Sequence, residues 1–216
     1  MGCVLSLAAA VGAVAVVLAL RLWLVLHSRV VVPRESVSLM AVAGSGGHTT
    51  ELLRLLEHLS SAYSPRHYVI ADTDDISARK IHAFELNRAD RDPSNMAPGH
   101  HIHRIPRSRE VQQSWLSTVL STLHAAWLAL PLTYRVKPDL VLCNGPGTCV
   151  PVCASALLLG VLGIKRVTIV YVESICRVEH LSLSGKILQH FCDHFVVQWP
   201  PLKKKYPKSV YLGRLV

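Results

Sequence analysis

Residues 41–56 read AVAGSGGHTTELLRLL, and this stretch organises the rest of the chain. The apolar run Val37 to Ala43 predicts a buried strand, and from Thr49 onward leucines recur at helical spacing. Between them lies the turn Gly44-Ser45-Gly46-Gly47. A glycine turn between strand and helix can cradle a phosphate, because the backbone approaches the anion closely and the helix start presents free amides. His48 would place an acid/base residue beside such a site.

The glycine turn matches neither standard nucleotide motif. The dinucleotide fingerprint would need a third glycine where Thr49 stands. A phosphate-binding P-loop would need a lysine where His48 stands. The alternative to a phosphate site is a tight strand-to-helix turn with His48 near the helix cap.

The N-terminal segment predicts a membrane anchor. Residues 3–20 are an almost unbroken run of Leu, Val and Ala, and LWLVL follows Arg21. About twenty apolar residues can span a bilayer. A cleavable signal peptide normally has basic residues before its apolar core, whereas here they follow it. We therefore expect a permanent anchor at residues 1–27, with a lumenal N-terminus and a cytosolic domain.

Two features of composition bear on compartment and partners. The chain has a formal charge of +9 but few aromatic residues and no nucleic-acid reading motif, which favours anionic lipid headgroups over nucleic acid. The first residues, MGCVLS, also match an N-myristoylation pattern that an immediate apolar span makes redundant. Without CxxC pairs or zinc spacing, five cysteines predict reduced core positions in a cytosolic domain. They are Cys143, Cys149, Cys153, Cys176 and Cys192.

Residues 28–36 are expected to be a linker and residues 37–216 one domain. Further strands are predicted at 66–72, 101–105, 139–143, 165–172, 194–197 and 210–212. Helices are predicted at 73–87, 111–130 (stopped by Pro131), 149–162 and 183–190, with a polar loop at 88–99. Strands that alternate with helices imply a parallel sheet with right-handed crossovers, which is an α/β, Rossmann-like fold.

Three candidate features follow strands. They are the first glycine turn, a second turn Asn144-Gly145-Pro146-Gly147-Thr148, and Glu173. Because the carboxyl ends of parallel strands share one edge, we expect all three on the ligand-binding edge of the sheet. Asp72-Thr73-Asp74 also follows a strand and could hold a metal–diphosphate, although solvation of a loop explains it as well. The histidines at 100, 101 and 103 have no accompanying acid or cysteine pattern and predict strand surface.

The predicted helix at 111–130 carries an apolar stripe at i, i+3, i+4 spacing, with tryptophan at both ends. Arg104, Arg107 and Arg109 precede it. A buried core face would explain the stripe equally well. Tryptophans beside arginines favour contact between part of this helix and the membrane surface.

Several segments carry a resemblance to a known family. GSGGHTTE at 44–51, DLVLCNGPGTCVP at 139–151 and VYVESICRV at 170–178 resemble the acceptor-binding half of a GT-B glycosyltransferase. Over essentially the whole cytosolic domain the chain is similar to the asparagine-linked-glycosylation protein fourteen family. The resemblance implies a membrane subunit, inactive alone, of a two-chain enzyme at the endoplasmic reticulum. That enzyme adds the second GlcNAc to dolichyl-diphosphate-GlcNAc, and neither a cofactor nor a metal is expected.

The resemblance also assigns roles to residues. His48 and Glu173 match the acid/base and acceptor-site positions and are the expected catalytic residues. The acceptor-diphosphate-binding residues would be Gly44, Ser45, Gly46, Gly47, Thr49, Asn144, Gly145, Gly147 and Thr148.

A complete GT-B enzyme needs two Rossmann-like domains, and this chain has room for one. The resemblance therefore implies that UDP-GlcNAc is bound by a partner, asparagine-linked-glycosylation protein thirteen. The apolar tail Gly213-Arg214-Leu215-Val216 is expected to dock that partner, unless it caps the domain's own core. Two other functions stay open: a membrane scaffold with a vestigial site, and an anchored Rossmann oxidoreductase.

Overall fold

The computed structural model describes residues 2–27, 35–91, 99–110 and 112–216, with side chains from residue 6 onward. Its centre is a parallel sheet of seven strands in the order β3-β2-β1-β4-β5-β6-β7. The strands are β1 (Leu39–Val42), β2 (Arg66–Ala71), β3 (His101–Ile105), β4 (Leu140–Asn144), β5 (Thr168–Val172), β6 (His194–Val197) and β7 (Val210–Tyr211). The predicted α/β, Rossmann-like fold is confirmed.

Helices cover both faces of the sheet. They are α1 (Gly2–His27), α2 (Gly47–Leu56), α3 (Asp75–Arg91), α4 (Trp115–Val136), α5 (Cys149–Val161), α6 (Leu183–Leu188) and α7 (Pro200–Lys205). Successive strand residues point to opposite faces, so Met40 and Val42 pack with α4 and α5 while Leu39 and Ala41 pack with α2 and α3. Each fully buried aliphatic side chain contributes about 1.5–3 kcal/mol, and these two cores stabilise the sheet between them.

The order of the strands reverses between β1 and β4. From β1 the chain moves outward to β2 and β3, then crosses back to β4 and continues outward on the other side. The carboxyl ends of β1 and β4 therefore diverge into loops that leave a crevice, the usual ligand site of such sheets. Both glycine turns lie at this point.

The prediction that Pro131 ends the fourth helix is wrong. Pro131 lies inside α4, which continues to Val136. The proline ring is exposed, while Ala129 and Thr133 on either side are fully buried and hold the helix in place. The helix ends instead at Lys137, which adopts a left-handed conformation. The predicted start at Val111 lies outside the described residues, and α4 begins at Trp115.

The polar loop predicted at 88–99 is wrong over its first four residues, which extend α3 to Arg91. Glu85 explains the extension, because its carboxylate pairs with Arg88 one turn later at 2.8 Å and is buried against β2. Residues 92–98 of that loop lie outside the described part of the chain.

The N-terminal helix packs on the domain at its C-terminal end. Val25 is buried against Gly160 of α5, and the Arg21 guanidinium lies 3.5 Å from the Val161 carbonyl. By length and composition Ser6–His27 could cross a membrane, and so could Trp115–Val136. The second of these packs on the domain along one face, where Ala125 and Ala129 are fully buried and Ala129 belongs to the core. Most of the expected linker at 28–36 lies outside the described residues.

The five cysteines whose side chains the structure describes are free thiols. Cys143, Cys149 and Cys153 are buried, and burial raises the pKa of the Cys149 thiol. These three are core residues as predicted. Cys176 is exposed, so its prediction as a core residue is wrong. Cys176 lies in the loop after β5. Residues there leave the sheet, so being next to the apolar Ile175 in sequence does not make Cys176 buried.

Candidate functional site

The carboxyl ends of β1, β4 and β5 bring together the three features predicted to share an edge. The first glycine turn opens α2, the second opens α5, and Glu173 directly follows β5. Asn144 and Val172 pair across β4 and β5, which fixes the second turn beside the Glu173 loop. His48 lies in the first turn of α2 and faces the second glycine turn.

His48 rests directly on Gly145. Gly145 has a φ of +74°, and a Cβ at this position would lie 2.5 Å from the Cε1 atom of the His48 ring. Any side chain at 145 would therefore both strain the backbone and displace the imidazole. The His48 Nδ1 atom is buried and has no hydrogen-bond partner among the described residues. It is thus a polar atom that a bound substrate or water can satisfy.

Two cavities flank the His48 ring. The first, about 200 Å³, lies between the glycine turns, and its lining includes Gly44, Ser45, His48, Arg107, Arg109, Gly147 and Thr148. The second, about 310 Å³, is lined by Gly47, His48, Gly145, Glu173, Ser174, Cys176, Arg177 and Ser182. The starts of α2 and α5 border these cavities, and helix starts favour anions. A larger cavity of about 610 Å³ lies between α2 and α3, away from this edge.

Three of the predicted binding residues line neither cavity: Gly46, Thr49 and Asn144. The Thr49 hydroxyl donates to the Gly44 carbonyl and lies 2.6 Å from the Ser77 hydroxyl. The Asn144 amide nitrogen donates to Glu51 and to the Val172 carbonyl. Both side chains thus stabilise the glycine turns on the side away from the cavities. Contact of these two residues with a ligand through their backbone stays a prediction.

Glu51 is a site residue that sequence reasoning missed. Its buried carboxylate accepts hydrogen bonds from Asn144 Nδ2 at 3.0 Å, Ser174 Oγ at 2.8 Å and the Ile175 amide at 3.2 Å. It therefore ties α2 to both the second turn and the loop after β5. One signal was available, since Glu51 follows His48 at i, i+3 and so shares its helix face.

Glu173 is fully buried. Its Oε2 atom accepts from the Ser182 amide and hydroxyl, both at 3.0 Å, and its Oε1 atom accepts from the Ser174 amide at 3.0 Å. Burial raises the pKa of Glu173, and these hydrogen bonds act in the opposite direction. The carboxylate holds the start of α6 against the end of β5. Its catalytic role stays a prediction, and these contacts suit a positioning residue.

The acidic triplet and the histidines form separate arrangements. The Asp74 carboxylate accepts from the amide and hydroxyl of Ser77 and so caps α3. His67 and His103 lie at hydrogen-bond distance, 3.1 Å, on the edge of the sheet. Across the described ranges, no group of three or more His, Cys, Asp or Glu side chains has the geometry of a metal site.

The C-terminal tail lies beside the Glu173 loop. The Leu215 amide donates to Gln198 Oε1 at 2.9 Å, and Gln198 Nε2 donates to the Glu173 carbonyl at 2.9 Å. The Arg214 guanidinium lies 5.4 Å from the centre of the Trp199 ring. The Trp199 Nε1 atom donates to the Ile175 carbonyl, in the loop after Glu173. Docking of a partner here stays a prediction.

The chain closely matches named relatives. It is 75% identical over all 216 residues, and over the whole of the relative, to the UDP-N-acetylglucosamine transferase subunit ALG14 of Homo sapiens. The corresponding subunit of Rattus norvegicus is 67% identical over the same span. That of Yarrowia lipolytica is 43% identical over 179 residues, which are 82% of this chain and 81% of the relative.

The fold is similar to that of a solved glycosyltransferase of the GT-B type. The crystal structure of MurG from Acinetobacter baumannii matches 76% of this chain with a TM-score of 0.55 at 17% identity, and the chain spans 42% of MurG. A family model described as "Oligosaccharide biosynthesis protein Alg14 like" matches residues 39–215. With this match over the whole domain and the identities above, the chain belongs to the Alg14 family.

Proposed function

We propose that this chain is the membrane-anchoring, acceptor-binding subunit of a two-chain UDP-GlcNAc transferase. The enzyme adds the second GlcNAc to dolichyl-diphosphate-GlcNAc at the cytosolic face of the endoplasmic reticulum. The donor UDP-GlcNAc is bound by the partner subunit, asparagine-linked-glycosylation protein thirteen, which this chain recruits to the membrane. The chain alone is inactive.

The observation that carries the proposal is how much of two related proteins this chain covers. The chain matches the full length of the human transferase subunit, yet it spans only 42% of MurG. A GT-B enzyme needs two Rossmann-like halves, and the matched part has one sheet with one ligand edge. The relatives are named as transferase subunits, so we assign the donor-binding half to a second polypeptide.

The geometry of the site suits an acceptor with a diphosphate. The diphosphate lies in the cavity between the glycine turns, where the starts of α2 and α5 stabilise negative charge. The acceptor sugar hydroxyl attacks the anomeric carbon of UDP-GlcNAc with inversion, and UDP leaves. His48, which borders both cavities, accepts the hydroxyl proton. Glu173 keeps the neighbouring loop in position.

The membrane side of the proposal depends on two helices. The apolar α1 is long enough to be the proposed anchor. The arginines that follow its apolar run support a cytosolic domain, because positively charged residues next to a span tend to stay on the cytosolic side. The first half of α4 exposes Trp115, Leu116, Val119, Leu120 and Leu123. This apolar surface begins beside the cavity and suits contact with the lipid phase.

The test is reconstitution. The chain is coexpressed with the partner, purified from membranes, and assayed with UDP-GlcNAc and phytanyl-diphosphate-GlcNAc. We expect transfer by the pair and none by either subunit alone. Transfer by this chain alone would overturn the subunit assignment, and an inactive but intact pair would favour the scaffold. The oxidoreductase is disfavoured by Thr49, which stands where a dinucleotide fingerprint has glycine.

A further inference from the structure

Two arginines from the loop after β3 enter the cavity between the glycine turns. Arg107 and Arg109 line it together with His48 and Gly147. The loop is tied to α4, because the Ser108 carbonyl accepts from the hydroxyls of Ser121 at 2.7 Å and Thr122 at 3.2 Å. The arginines are therefore presented by a fixed segment.

Two buried polar side-chain atoms of this loop have no hydrogen-bond partner in the described structure. The Nε atom of Arg107 is buried without a hydrogen-bond partner in the described structure, and so is the hydroxyl of Ser108, a residue only 3% exposed. Ser108 lies next to Gly147 at the start of α5. Buried polar groups are normally satisfied, so the open Nε atom of Arg107 and the open Nδ1 atom of His48, two residues that line this one cavity, indicate that a ligand completes them.

The charge of the cavity is also unbalanced. Arg107 has one distant carboxylate, Glu110, at 3.8 Å. Arg109 stacks on Trp115, with its guanidinium carbon 4.4 Å from the ring centre, and no ion pair of Arg109 occurs in the described ranges. Two guanidinium groups beside two helix starts favour a ligand with more than one negative charge.

We propose that Arg107 and Arg109 are the cationic ligands of the acceptor's diphosphate. The inference rests on the proposed function and adds to it two binding residues on a third loop. The lipid-linked acceptor fits better than a soluble phosphate compound, because the exposed apolar surface of α4 starts at Trp115, beneath Arg109. A diphosphate held by the arginines thus has its lipid chain on an apolar surface.

The same segment supplies a matched control. Arg104 lies at the end of β3, exposed, with its guanidinium on Asp75 at 2.7 Å and on the Asp72 carbonyl at 2.5 Å, and it does not line the cavity. Arg104→Ala removes the same charge within five residues of the proposed ligands. It separates local binding from the general loss of positive charge.

The experiment compares Arg107→Ala, Arg109→Ala and Arg104→Ala in the purified two-chain complex. We expect each of the first two to raise the KM for phytanyl-diphosphate-GlcNAc about 10- to 100-fold, the size of a lost charge-assisted hydrogen bond. The KM for UDP-GlcNAc and copurification of the partner should not change. Arg104→Ala should leave all three unchanged. Arg107→Lys and Arg109→Lys replace any alanine variant that fails to assemble, with a smaller rise expected.

Inorganic diphosphate is the second probe, titrated calorimetrically into the same complexes without transfer. We expect weaker binding in the Arg107 and Arg109 variants only. Unchanged diphosphate affinity and acceptor KM would overturn the inference, and a rise only in the KM for UDP-GlcNAc would assign the arginines to the donor. An effect seen only with phosphatidylserine vesicles, and not in neutral detergent, would assign them to lipid headgroups and also overturn it. If the wild-type pair transfers nothing, the proposed function fails, while the diphosphate titration still decides the role of the arginines.

Discussion

Two residues of the site have opposite surroundings. The His48 ring borders two cavities and has an unpartnered Nδ1, whereas the fully buried Glu173 borders only the second cavity and its carboxylate accepts three hydrogen bonds. A group that transfers a proton must reach the substrate, and a group that holds a loop must keep its protein partners. The surroundings of His48 therefore suit proton transfer, and those of Glu173 suit the positioning of a loop.

Replacement of His48 tests that division. We expect His48→Ala to lower the rate of transfer by the reconstituted pair about 10²- to 10⁴-fold, because a positioned acid/base residue contributes that much. Partner copurification should be unchanged, since the ring borders open cavities. His58→Ala, an exposed histidine just past the end of α2, is the control. Full activity in His48→Ala would favour the scaffold with a vestigial site.

Local patterns predicted part of this site. The glycine turns and His48 were found because strand, turn and helix follow one another within a few residues. Glu51, Arg107 and Arg109 depend on how distant loops meet, and from sequence the arginines indicate only that the helix after them contacts the membrane surface. The same basic and aromatic pattern fits a lipid surface and a phosphate cavity, and only the position of the loop separates them.

At the scale of elements, the N-terminal helix α1 packs on a specific part of α5. Val25 packs on Gly160, where an added Cβ would lie 3.2 Å from a Val25 methyl. Arg21 lies at the C-terminal end of α5, where the helix dipole favours a cation. The last turns of α1 are therefore packed on the domain, and the span that precedes them meets the domain at a defined place.

A mutant cycle measures this packing. We expect Gly160→Leu to destabilise the full chain by about 1–3 kcal/mol, because the new side chain overlaps Val25. The measurement is chemical denaturation in detergent. In a Val25→Ala background the cost should be clearly smaller, since the overlapping methyls are gone. An equal loss of stability from Gly160→Leu in both backgrounds would contradict packing of α1 on α5.

Element bounds show why sequence alone fell short. The sequence predicts that Pro131 ends α4, but burial of Ala129 and Thr133 outweighs the one hydrogen bond that the proline removes. Polar residues 88–91 were expected to be loop, but the Arg88–Glu85 pair continues α3. In both places tertiary contacts override a local preference. The strand at 101–105 matches its prediction, and its two isoleucines lie on opposite faces of the sheet, Ile102 against one core and Ile105 in the other.

For the whole molecule, the tail next to the site is the expected point of assembly. Leu215 and Val216 are partly exposed, and their amides donate to the buried Gln198. We expect deletion of residues 213–216 to abolish copurification of the donor-binding partner. The domain should remain folded at a cost of about 1–3 kcal/mol, since Gln198 loses its donors. Copurification from membranes and a melting curve measure the two effects.

A second variant separates the two roles of the tail. Leu215→Ala with Val216→Ala keeps the backbone amides on Gln198 and removes only the apolar side chains. Loss of the partner in this variant, with an unchanged melting temperature, fits docking through the apolar surface. Undiminished copurification after the deletion would rule docking out, and loss of the anchored chain itself would mean that the tail caps the core.

Gln198 contacts both the C-terminal tail and the loop after β5, which borders the proposed acceptor site. One end of its amide holds the Leu215 and Val216 backbone, and the other holds the carbonyl of Glu173. If the partner docks on the tail and the acceptor binds beside Glu173, both would order this one side chain, and equilibrium linkage would make the benefit equal in both directions. A partner that improves the acceptor's affinity is itself held more tightly when the acceptor is present. Assembly of the transferase would then follow the supply of its lipid-linked substrate.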